Sequence, residues 1–189
     1  MSTVTHLTIA EYDRMIAAGV FEPREQNRLE LIYGELREMT PIGSEHEVIL
    51  DYLTEWSFSQ LPKRKVWVRV QNSIGIPALD SAPEPDLAWV ARRDYRRGRP
   101  TADDVLLVIE VSESTLRFDL GRKAKLYAAA GISDYWVVDV ANHSIVVHRD
   151  PAGGGYREVR TYRESDELYP LHVPEVKLCP ARLWRAADE

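Results

Sequence analysis

Acidic residues stand where this chain is least able to tolerate them. Pro85-Asp86 opens one apolar run, and Glu110 lies near the end of a second, Val105-Leu106-Leu107-Val108-Ile109-Glu110-Val111. Asp119 and Lys123 follow on what reads as the first turns of a helix. A carboxylate at the end of a buried strand is costly unless a cation or a proton donor compensates it. Two carboxylates and a lysine converging on one point describe a site for a hard divalent cation, of the kind phosphate chemistry uses. Hydrolysis of a phosphodiester needs charge neutralised on the phosphoryl oxygens and a water made nucleophilic. Asp86 and Glu110 are the candidate ligands for Mg²⁺ or Mn²⁺, and Lys123 the group that orients or helps deprotonate the water. A structural account competes with this one. Asp86 would then cap a loop, and Glu110 would pair with Lys123 as a plain salt bridge. The spacing alone leaves the two accounts even. Asp119 is assigned to helix capping.

These residues need elements to hold them. Thr8 with Glu11 forms a capping box that opens a helix over Ile9–Ala18, and Gly19 stops it. Phe21 to Asn27 is a polar connection. Arg28–Tyr33 and Glu35–Met39 flank Gly34 and read as a β-hairpin. Ser44 with Glu47 is a second capping box, and Val48, Ile49, Tyr52, Leu53 and Trp56 follow helical spacing up to Pro62. Val66, Val68 and Val70 alternate, which predicts a strand from Lys65 toward Ile76. Pro77 to Pro85 is a loop. Asp86–Val90 and Val105–Val111 are runs of strand length, and Asp119–Ala130 is helical with Gly131 as its stop. Tyr135–Val140, Ser144–Arg149 and Tyr156–Tyr162 are strands, the last two divided by Gly153-Gly154-Gly155. The tail to Trp184 is weakly patterned. Helices and strands alternate in blocks, so the fold class is α/β in the broad sense, a mixed α+β core with at least one strand–helix–strand unit.

The chain has 189 residues, 44% of them apolar and 29% charged, which is the make-up of one ordinary globular domain spanning residues 1–189. A net charge of −6 argues against a general polyelectrolyte binder but leaves room for a local basic patch. Arg92, Arg93, Arg96, Arg97 and Arg99 crowd around Tyr95 and are candidate phosphate contacts, with a solvated loop as the equal alternative. The lone cysteine, Cys179, cannot form an internal disulfide, which fits a cytoplasmic location. No apolar stretch is long enough for a membrane span, and residues 1–10 lack the pattern of a secretory signal. No phosphate-binding glycine loop, nucleophile elbow or dinucleotide fingerprint is present.

Several stretches together resemble the Uma-type family of endonucleases, within the restriction-endonuclease-like PD-(D/E)XK superfamily. They are Glu30-Leu31-Ile32-Tyr33-Gly34-Glu35, Pro85-Asp86-Leu87-Ala88-Trp89-Val90, Ile109-Glu110-Val111-Ser112 and Asp119-Leu120-Gly121-Arg122-Lys123, followed by Leu126-Tyr127-Ala128-Ala129-Ala130-Gly131-Ile132-Ser133-Asp134-Tyr135-Trp136-Val137-Val138-Asp139. The resemblance implies a restriction-endonuclease-like core. This is a four-stranded mixed sheet flanked by helices, preceded here by a helix and a hairpin, with the site at the forked end of two strands. It implies a Mg²⁺-dependent hydrolase acting on DNA, with Mn²⁺ as a substitute ion, and it is compatible with a homodimer. Asp86, Glu110 and the main-chain carbonyl of Val111 would ligate the ion. Glu30 or Glu35 would reach it from the hairpin, unless they serve only the hairpin surface. The chain departs from the superfamily at one point. The usual lysine two residues after the glutamate is Ser112, and Lys123 on the following helix takes its place. A non-catalytic nucleic-acid or protein-binding module on the same scaffold is the alternative. A glycosidase using Asp86 and Glu110 as acid and base is a third reading, but it leaves the lysine unexplained.

Overall fold

Both apolar runs become strands at the centre of a sheet, buried on both faces. The computed structural model describes residues 5–21, 28–39, 42–62 and 64–185. In chain order it contains α1 (Ile9–Ala17), β1 (Leu29–Ile32), β2 (Glu35–Glu38), α2 (Ser44–Gln60), β3 (Val66–Val70), β4 (Leu87–Ala91) and β5 (Val105–Ser112). A helical passage follows: α3 (Leu116–Phe118), a π-helical segment Asp119–Lys123, and α4 (Ala124–Ala129). The chain then runs through β6 (Asp134–Asp139), β7 (Ser144–Ala152), β8 (Gly155–Tyr162) and α5 (Ala181–Arg185). Among the described residues no helix is long and apolar enough to cross a membrane.

The main sheet has six strands in the order β3-β4-β5-β6-β7-β8, against the four expected, and β1-β2 is a separate hairpin. β5 and β6 are parallel, and the helical passage makes the crossover between them; all other neighbours are antiparallel. Alternation along each strand divides the core into two layers. Leu87, Trp89, Leu107, Ile109, Val111, Trp136 and Val138 face α2 and the C-terminal segment, where Leu53, Trp56, Leu178 and Leu183 meet them. Ala88, Val90, Val108, Tyr135 and Val137 face α4, where Ala124, Leu126 and Tyr127 meet them. Asp86, Glu110 and Ser112 continue the second register, so the period of two aims all three at the face that the crossover helix covers. β4 runs antiparallel to β5 with Leu87 opposite Ile109, which sets the start of one strand beside the end of the other.

The first helix forms with the expected box: Thr8 caps α1, and the Glu11 carboxylate returns to the Thr8 backbone. The hairpin turns through Tyr33 and Gly34, both at positive φ. α1 packs on it through Tyr12, Leu31 and Ala82, and the Tyr12 hydroxyl donates to the Leu29 carbonyl at 2.7 Å.

Three expectations change. The Ser44 box does not form, because Gly43 is the N-cap of α2 and no side chain bonds there. The Glu113 carboxylate stands in its place, so close that a Cβ on Gly43 would lie 2.5 Å from it. An anion at a helix N-terminus is favourable. β3 stops at Val70 rather than nearing Ile76, since Gln71 takes a φ of 50° and leaves the strand. The crossover helix begins at Leu116, three residues before Asp119, so Thr115 and not Asp119 is its N-cap. The connection read over 21–27 lies, from residue 22 on, outside the described residues.

Candidate active site

Asp86, Glu110, Lys123 and Glu30 meet in one cavity of about 290 Å³. All four side chains are buried. Asp86 enters from the start of β4. Its Oδ2 accepts the Val111 backbone N–H at 2.8 Å, and its Oδ1 lies 3.1 Å from His46 Nε2 on α2. Glu110 enters from β5, where its Oε1 accepts from Lys123 Nζ at 3.0 Å and from the Tyr127 hydroxyl at 2.8 Å. Glu30 enters from the hairpin, with its Oε2 3.3 Å from the same Lys123 ammonium. Lys123 therefore bridges two carboxylates from different parts of the chain.

The π-helical segment explains how Asp119 and Lys123 both turn inward. Widening the helix by one residue per turn is a local distortion found often at functional sites. Here Asp119 and Lys123 are both buried at the two ends of that widened turn. Asp119 accepts from the hydroxyls of Ser112 and Thr115. Ser112, at the position the superfamily gives to lysine, is thus tied to Asp119.

Four buried carboxylates, Glu30, Asp86, Glu110 and Asp119, face one buried lysine and one buried histidine. The imbalance shows in the acidities. Burial pushes the Glu110 carboxyl well up; Lys123 opposes this, but Asp86, Asp119 and Glu30 add to it. Burial alone would lower the Lys123 ammonium, yet Glu110, Glu30, Asp119 and Asp86 outweigh it and hold the proton on. For His46, burial also works against charge, and the Asp86 carboxylate, with Glu113 and Asp119, reverses the direction to upward.

The remaining candidates lie elsewhere. Glu35 shares the hairpin but sits nearer the turn, half exposed, and pairs with Arg122 at 2.8 Å; it does not line the cavity. Val111 does line it, so its main chain is at hand. The arginine segment is displaced: Arg92 is six residues beyond Asp86, ~20 Å along an extended strand. Carboxylates also occupy three of its members. Arg93 pairs with Asp104 and Arg96 with Asp94, both at 2.7 Å, and Arg99 pairs with Asp13. His46 and Tyr127 are the groups that sequence reasoning left out of the site. A lone histidine at a helix start and a tyrosine among apolar residues carry no signal in sequence, and only the contacts with Asp86 and Glu110 bring them here.

The donor set fits a hard divalent ion: oxygen ligands, an excess of buried negative charge, and an open cavity. Among the described residues no three acidic or histidine side chains stand together as a ready-made cage. An ion here would draw on two carboxylates, a main-chain carbonyl and water. That suits Mg²⁺, which keeps several waters and takes one or two carboxylates.

Comparison with known proteins bears on this arrangement. The model of the Uma2 family, described as "Putative restriction endonuclease", matches residues 9–181. Among solved structures, the fold is similar to that of a "putative nuclease belonging to DUF820" from Anabaena variabilis. The TM-score is 0.71 at 17% identity, over 95% of this chain and 98% of that one. At that identity the likeness establishes the fold. No curated protein matches.

Proposed function

This chain belongs to the Uma2 family, and from that premise we propose that it is a divalent-metal-dependent endonuclease that hydrolyses DNA phosphodiester bonds. The observation that carries the reading is the meeting of Asp86 and Glu110 at the open end between β4 and β5, with Lys123 inside the same cavity. Asp86, Glu110 and the Val111 carbonyl would hold Mg²⁺ or Mn²⁺. Such an ion supplies Lewis-acid charge at the phosphoryl oxygen and a more acidic bound water.

The protein's own groups divide the remaining work. Lys123, whose ammonium form the surrounding carboxylates favour, would orient the attacking water and set positive charge beside the developing phosphorane. Tyr127 and Lys123 both bond Glu110 Oε1, which fixes the carboxylate's rotamer. His46 and the Val111 N–H do the same for Asp86. Glu30 holds Lys123 from the opposite side.

A binding module on a nuclease scaffold is the second reading. It draws on one observation: the four buried carboxylates of the cavity, Glu30, Asp86, Glu110 and Asp119, each already have a partner within the chain, without an ion. Incubation of supercoiled plasmid with the protein and Mg²⁺ or Mn²⁺ separates the two. Nicked or linear product that Asp86→Ala and Glu110→Ala each abolish supports the nuclease. Retention of DNA without any product supports the module.

A further inference from the structure

Anionic substrate must be held next to a cavity that is itself negative, and the cations already described cannot do this. Lys123 is shared between Glu110 and Glu30, Arg122 belongs to Glu35, and the 92–99 segment lies at the far end of β4. Two other arginines line the cavity, Arg37 and Arg117. Arg37 stands directly across the hairpin from Glu30. Opposed residues of an antiparallel pair project from the same face, so the register that buries Glu30 also brings Arg37 to the cavity. Its guanidinium carbon lies 4.1 Å from the centre of the Phe118 ring. Among the described residues no carboxylate is within ion-pairing distance of Arg37 or Arg117.

A guanidinium stacked on a ring is oriented by the ring face, while its N–H donors remain free around its edge for a second partner. Those donors match two phosphate oxygens at once, which an ammonium cannot do. Arg117 precedes Phe118 on the same turn of α3 and is exposed. The two arginines thus come from separate elements, the hairpin and the crossover helix, and Phe118 joins them.

We propose that Arg37 and Arg117 form a clamp on the substrate backbone, gripping phosphates beside the scissile one, with Phe118 as the positioning residue that sets Arg37. This rests on the nuclease reading. The clamp makes the mouth of the cavity attractive to a polyanion while its floor stays suited to a divalent cation. It also gives the hairpin a function beyond delivering Glu30.

The test is DNA binding and turnover of the full chain. Affinity for a short duplex is measured against salt in EDTA, and cleavage kinetics with Mn²⁺. Arg37→Gln and Arg117→Gln should each raise KM about tenfold with little change in kcat. Each should also make the slope of log affinity against log salt shallower by about 0.9. Arg37→Lys should keep the parent slope, since charge remains, while KM still rises. Phe118→Leu keeps an apolar contact but removes the ring, and should raise KM without altering the slope. Arg117 is exposed, so its variant reports even if Arg37→Gln folds poorly. Parent KM and parent slope in both glutamine variants overturn the clamp and leave the nuclease reading intact. If the parent binds DNA without cleaving it, the nuclease reading fails, and the salt slopes alone then decide the clamp.

Discussion

At the scale of single residues, the site is an arrangement of charges whose balance can be measured. Among the described residues of the cavity, Lys123 is the one buried ammonium, against the four buried carboxylates Glu30, Asp86, Glu110 and Asp119. Lys123→Met should lose most cleavage and should destabilise the metal-free protein by on the order of 3 kcal/mol, because two carboxylates lose their counter-ion. Mn²⁺ should raise the melting temperature of this variant more than that of the parent. Equal shifts would mean that Lys123 and the ion do not share the same carboxylates. The acidities give a second test. Burial opposes a charged His46, yet Asp86 raises its pKa above the ordinary 6.5. A group raised on folding contributes stability that is present below its unfolded value and lost as pH rises through its folded one. The metal-free protein should therefore lose stability as pH climbs through and above 6.5, and Asp86→Asn should flatten that dependence and bring His46 below 6.5 by NMR titration. Glu110 is also raised, so the same rule gives a loss of stability above its ordinary 4.5. Asp86, Glu110 and Lys123 were readable from sequence because a charge interrupting an apolar run has few innocent explanations. His46 and Tyr127 were not, because their types are common in cores and only the tertiary contact with Asp86 or Glu110 distinguishes them. Glu35 has the same type and nearly the same place as Glu30, but the turn carries it to Arg122 instead.

At the scale of elements, the parts governed by local chemistry were foreseen and the parts governed by partners were not. The Thr8–Glu11 box, the hairpin about Gly34 and the Gly131 stop all follow from backbone rules acting within a few residues. The vacant Ser44 box, the end of β3 and the π-helical turn go instead with tertiary contacts: Glu113 stands at the start of α2, the Gln71 backbone N–H turns to the Asp86 carbonyl, and Lys123 is buried against Glu110 and Glu30. Two glycines test this division with opposite signs. Gly34 has a φ of +75°, and an added Cβ would lie 2.8 Å from the His6 Cβ and 2.9 Å from the Leu7 carbonyl. Gly34→Ala should cost about 2 kcal/mol, and because this turn positions Glu30, activity should fall with it. Gly121 sits within the crossover helix at ordinary φ, and its added Cβ would meet nothing within 4 Å. Gly121→Ala should stabilise the protein by about 0.5–1 kcal/mol and leave cleavage unchanged. Thermal or urea melts read both. A neutral Gly34→Ala would show that the turn relaxes, and a damaging Gly121→Ala would show that the π-helical turn needs glycine.

At the scale of the whole molecule, what matters is that the two core layers share one set of strands. Trp89 and Val90 are neighbours on β4 but belong to opposite layers, as do Val137 and Val138 on β6. Neither layer can lose its packing without disturbing the backbone that carries the other. The catalytic face is built at the boundary. Glu110 shares a face with Val108 but also precedes Val111, which packs in the opposite layer. The chain should therefore unfold as one unit, in a single transition, as small single domains usually do. The probes are already separated by layer. Trp56, Trp89 and Trp136 lie together on the α2 side with ring centres 5.0 and 6.2 Å apart, while Tyr127 and Tyr135 pack on the α4 side at 4.8 Å. Trp67 lies on the other face against Tyr95, so tryptophan fluorescence read in a Trp67→Phe background follows the first layer, and ring NMR signals of Tyr127 and Tyr135 follow the second. Coincident urea midpoints are expected. A tyrosine transition that precedes the tryptophan one would mean that the crossover helix opens separately, and with it the cavity wall that carries Lys123.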